Sequence, residues 1–114
     1  MKVIINNRIG GFSVSQAVYE RLGLLYTDYG LLHNWDRYAV GDYNGQRTDP
    51  ELVAIVEEMG AAASGGYAEL CIVEIPDGIA WHICEGETGV EWIAEDHRTW
   101  EGPRKDRIEG ETDE

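Results

Sequence analysis

Four consecutive residues, His97-Arg98-Thr99-Trp100, set an imidazole, a permanent cation, a hydroxyl and an indole side by side. This suits recognition of a phosphate beside a flat base: guanidinium is a planar fork of five donors, and indole offers a stacking face. Acid–base cleavage of a phosphodiester needs both a base and an acid. A His-x-Thr pair occurs only once, since His33 is followed by Asn-Trp and His82 by Ile-Cys. Binding without hydrolysis is therefore expected. The competing reading is a strand end whose His and Arg satisfy backbone groups and surface acids.

A second candidate is Asn6, Asn7, Gly10, Gly11, Phe12 and Ser13, an Asn- and Gly-rich loop between a strand and a helix start. Unpaired N–H groups at such a junction can cradle an anion, or the glycines can simply make a tight turn. The loop lacks the Gly-Lys-Ser of an NTP-binding loop and the G-x-G-x-x-G of a dinucleotide fold. Arg47, just ahead of Asp49-Pro50, can reach an anion at a helix N-terminus or pair with one of the 22 acids. His82 and Cys84 share a strand face but make no closed zinc set. No nucleophile with a base stands out, so no catalytic residue, metal or cofactor is expected.

The segments KVIINN with GGFSVS (Lys2 to Ser15), RTDPELVAIVEEMG (Arg47 to Gly60) and EWIAEDHRTW (Glu91 to Trp100) together resemble a widespread family of small acidic proteins encoded by tailed bacteriophages, over roughly residues 2 to 100. The resemblance implies similarity to anti-CBASS sponges. It implies a counter-defence protein in the cytoplasm of an infected bacterial host, sequestering a cyclic dinucleotide or related nucleotide signal uncleaved. Such a ligand is near two-fold symmetric, so a symmetric homo-oligomer is a natural arrangement. The alternative is an acidic DNA mimic, or a direct protein inhibitor of a host nuclease or defence enzyme.

Charge separates these classes in part. The chain of 114 residues carries a net charge of −13. Residues 101–114 hold six acids and three bases, so residues 1–100 are themselves strongly acidic. Attraction to nucleic acid or an anionic membrane is disfavoured. No apolar run is long enough to span a bilayer. The two cysteines, Cys71 and Cys84, sit in apolar runs without C-x-x-C spacing and read as buried free thiols.

The elements that must position the candidates are legible in outline. Val3, Ile4 and Ile5 predict a strand covered on both faces. Ser13 or Ser15 starts a helix ending near Leu22 at Gly23. Asp49-Pro50 opens a second helix that buries Leu52, Ile55, Val56 and Met59 and stops at Gly60. Residues 24–46 predict an irregular segment with one short strand, and residues 61–66 a flexible connector. Three strands follow: Tyr67 to Ile75, then a hairpin with Ile79, Trp81 and Ile83 on one face and Val90, Trp92 and Ala94 likewise. The expected fold is a single α+β domain over residues 1–100, a mainly antiparallel sheet of about four strands with two helices on one face. Residues 101–114 read as a disordered acidic tail.

Overall fold

Three β-branched residues in a row need cover on both sides of a strand, and the chain provides it. A computed structural model describes residues 1–32, 37–39 and 41–96. In it Val3, Ile4 and Ile5 of β1 (Lys2–Asn6) are all buried. β1 pairs antiparallel with β2 (Leu70–Glu74), with Ile4 opposite Ile72. β3 (Trp81–Glu85) and β4 (Glu91–Glu95) form a second antiparallel pair, with Ile83 opposite Ile93. Ile4 packs on the helical side with Val18, Leu52 and Ile55. Val3 and Ile5 face the opposite way, onto Trp81, Ile83 and Ile93. The fold is thus α+β, with the β1–β2 ribbon between a helical layer and the β3–β4 hairpin.

Two helices in the helical layer carry the expected end signals. α1 (Gln16–Leu22) ends at Gly23, whose φ of 74° is the left-handed conformation that closes helices. Ser15 precedes it, but its hydroxyl donates to Ala62 O (2.7 Å) instead of capping the helix. The third helix, α3 (Pro50–Met59), has Asp49 as N-cap, accepting from Glu51 N (3.0 Å), and proline in its first turn. It buries Leu52, Val53, Ile55 and Val56, while Met59 is half-buried.

Three expectations need correction. In place of a short strand within residues 24–46, the described residues contain a 3-10 turn at Asp28–Gly30 and a short helix, α2 (Tyr43–Arg47). The preceding loop is pinned by the buried Tyr19, whose hydroxyl donates to Thr27 O (3.0 Å) and accepts from Leu32 N (2.7 Å). Residues 61–66 are not a loose connector. Gly60–Ala63 form a 3-10 turn, Ala63 is fully buried, and Ser64 bridges to Val14. Finally, the phase of β4 is the reverse of that expected. Glu91 and Ile93 face inward, whereas Trp92 is half-exposed opposite Cys84. Hydrophobicity alone puts the tryptophan inside, but the pairing register puts Glu91 there, and other groups neutralise it.

Among the described residues no helix is long and apolar enough to cross a membrane. Cys71 and Cys84 are free and half-buried.

Candidate ligand-binding cleft

In an antiparallel ribbon, alternate residues of a strand bond to the partner and the others present N–H and C=O to the opposite edge. Asn7 N bonds to Glu69 O (2.9 Å) and Ile75 N to Met1 O (2.9 Å), so the odd positions of β1 pair with β2. Ile4 and Asn6 consequently point their backbone groups to the free edge. Two side chains satisfy that edge in place of a neighbouring strand. The Glu91 carboxylate accepts from Asn6 N (2.9 Å), and Arg47 Nη1 donates to Ile4 O (3.4 Å). The two side chains also form a bidentate ion pair, Nη1 to Oε1 at 2.6 Å and Nη2 to Oε2 at 3.0 Å. Arg47 is only 6% exposed and Glu91 only 5%.

The network around this pair is closed. Arg47 Nε donates to Gln46 Oε1 (3.0 Å), and Gln46 Nε2 in turn donates to Leu32 O (3.0 Å). The guanidinium lies 3.5 Å from the centroid of the Phe12 ring, a cation–π contact. A buried ion pair with its remaining valences met fixes geometry more surely than it adds stability.

This network is the floor of a cleft of about 740 Å³, within the usual range for small-molecule sites. One wall is α2 with its preceding turn: Gly41, Asp42, Tyr43 and Asn44. The other is β3, with His82, Ile83 and Glu85. Gly11, Phe12 and Leu31 complete it. The walls are tied together by Asn44 Nδ2, which donates to Trp81 O (3.0 Å). Asp42 caps α2 by accepting from Gly45 N (2.9 Å). His82 Nδ1 contacts Asp96 Oδ1. The lining thus holds three carboxylates, Asp42, Glu85 and Glu91, and one guanidinium, Arg47, which is already paired with Glu91.

The predicted site residues divide into three groups. Gly11, Phe12 and Arg47 do line the cleft. Arg47 is the last residue of α2 rather than a free cation ahead of α3, and its pairing with an acid was one of the two alternatives open for it. Asn6, Asn7, Gly10 and Ser13 are structural joints in the described chain. Asn6 is fully buried: its amide donates to Arg8 O (2.7 Å) and Gly89 O (2.9 Å) and accepts from Glu69 N (2.9 Å). Gly10 N donates to Thr88 O (2.8 Å), and Ser13 O accepts from Gly65 N (3.0 Å). The N–H groups of Asn6, Asn7 and Gly10 are thus committed to the fold. His97, Arg98, Thr99 and Trp100 lie outside the described residues.

Sequence reasoning missed Asp42, Asn44, Gln46, Glu85 and Glu91, and it considered His82 only as a metal ligand or as the second histidine of an acid–base pair. The one available signal was the acid that opens an otherwise apolar strand run, Glu91 in EWIA. Among the described residues no three His, Cys, Asp or Glu side chains are grouped to hold a metal. Lys2, Arg21, Arg37 and Arg47 are each ion-paired to a carboxylate. Comparison of the chain with protein-family models, curated proteins and solved structures gives no match.

Proposed function

We propose that the protein is a non-catalytic binder that sequesters a small nucleotide signal of the cyclic dinucleotide class, as a phage counter-defence protein acting in the infected host. The observation that carries this reading is the cleft of about 740 Å³ on an internally satisfied floor. A floor locked by Arg47, Glu91 and Gln46 keeps its shape whether or not a ligand is present, which lowers the ordering cost of binding. Tyr43, exposed on the α2 wall, offers a flat face beside polar groups, as base recognition requires. A symmetric homo-oligomer, in which two copies share one cyclic dinucleotide, is part of the proposal.

The test is calorimetric titration of the whole chain with cyclic dinucleotides, mononucleotides, ADP-ribose and NAD, followed by chromatography of the recovered ligand. Saturable binding of a cyclic dinucleotide recovered intact supports the reading. Accumulation of a linear product over many turnovers makes the protein an enzyme instead. Failure of every nucleotide to bind, with a salt-labile complex to a basic nuclease, favours the DNA-mimic alternative.

A further inference from the structure

Which part of a nucleotide enters the cleft follows from which of its polar groups are still unengaged. The three carboxylates differ. Glu91 already accepts three hydrogen bonds, two from Arg47 and one from Asn6 N. Asp42 spends one oxygen on Gly45 N to start α2. Glu85, at the end of β3, is exposed and has no hydrogen-bond or ion-pair partner among the described residues. The β3–β4 register sets it directly opposite Glu91, so it stands beside the floor of the cleft. Asn44 has one amide N–H engaged with Trp81 O, which leaves its oxygen as acceptor and its second N–H as donor.

The open capacity of the walls is therefore weighted to acceptors, and among the described residues no unpaired guanidinium or ammonium lines them. A phosphate, which carries only acceptors and negative charge, is badly matched to that lining. A group presenting two adjacent N–H donors is well matched to a carboxylate with both oxygens unengaged, because such a carboxylate accepts bidentately. Among nucleobases guanine presents that pair, N1–H and the 2-amino group. Adenine opposes the same carboxylate with its unprotonated N1.

We propose that the cleft takes a guanine base edge-on, with Glu85 accepting from N1–H and the 2-amino group while the phosphates remain at the solvent-facing mouth. Glu85 is then the specificity-determining residue. The inference rests on the nucleotide-binding reading above and narrows it to guanine-containing ligands.

The experiment measures affinity of the whole chain for cyclic di-GMP, cyclic di-IMP and cyclic di-AMP, in wild type and in Glu85→Gln. Cyclic di-IMP lacks only the 2-amino groups. The expected order is cyclic di-GMP tighter than cyclic di-IMP by at least about tenfold, the effect of one charge-assisted hydrogen bond, with cyclic di-AMP weaker still. Glu85→Gln should lower cyclic di-GMP affinity at least about tenfold and erase the preference over cyclic di-IMP, with an unchanged melting temperature because the side chain is exposed. Equal or tighter binding of cyclic di-AMP in the wild type would overturn the guanine assignment and leave the nucleotide reading standing. Undiminished cyclic di-GMP binding by Glu85→Gln would do the same. Absence of binding by all three would overturn both.

Discussion

Replacing Glu91 by Ala removes the acceptor of three buried donors at once and leaves the Arg47 guanidinium without its counter-charge. Breaking a buried pair from one side costs about 3–5 kcal/mol, and an orphaned buried N–H costs about 1–3 kcal/mol more. The cleft lets water reach the vacated space, so the lower end of each range applies, giving a loss of about 4 kcal/mol. For a domain of this size that lowers Tm by at least about 15 °C. The double variant Arg47→Met/Glu91→Gln should recover more than half of the loss. It buries no charge, and the amide oxygen introduced at position 91 still accepts from Asn6 N. Urea unfolding followed by tryptophan fluorescence reads both, since Trp81 is buried against the β1–β2 ribbon. A loss under about 1 kcal/mol in Glu91→Ala, or a double variant no more stable than the single, would refute the closed-network account.

Burial alone would raise the Asp49 carboxyl, but hydrogen bonds from Tyr38, Glu51 N–H and Arg37 outweigh it and hold its pKa below the ordinary 3.8. Its contribution is therefore present above pH 3.8 and lost as pH falls further, and acid unfolding of Asp49→Asn should be less steep in that window. Tyr38 shifts the other way: burial and the bond to Asp49 push its hydroxyl above 10. Its contribution is complete below pH 10 and lost at more alkaline pH, so Tyr38→Phe should flatten the alkaline limb of the stability profile. Gly10→Ala should destabilise by about 2 kcal/mol or more, because φ is 122° and the new Cβ would lie 2.7 Å from Tyr67 Cβ; an unchanged denaturation midpoint would contradict that packing. Raising salt should leave cyclic dinucleotide affinity constant or increase it, since the net field of the protein repels the ligand and salt screens repulsion. Marked weakening would instead point to cation–phosphate contacts.

The sequence exposed what depends on neighbours along the chain. Val3-Ile4-Ile5 announced a doubly covered strand, and Asp49-Pro50 with Gly60 bounded α3, because end signals and apolar phase act locally. The cleft was opaque because its floor joins residues 44 positions apart: an anion contact and an acid pair are equally open to Arg47 until Glu91 is placed against it. Glu91 looked solvent-facing because alternation in EWIAE favours burying Trp92, and only the register with β3 reverses that phase. Asn6 looked like a ligand group for a similar reason, since its four hydrogen bonds reach Arg8, Glu69, Gly89 and Glu91.

The central claim is that the cleft between α2 and β3 is where a nucleotide binds. A ¹⁵N-edited NMR titration of the whole chain with cyclic di-GMP tests it directly. The amides of Gly11, Gly41, Asn44 and Ile83 and the buried Arg47 Nε–H should shift in a saturable manner, while those on the exposed face of α3, such as Ala54 and Glu58, should not. Saturable shifts confined to α3, or no shifts at millimolar ligand, would contradict the assignment.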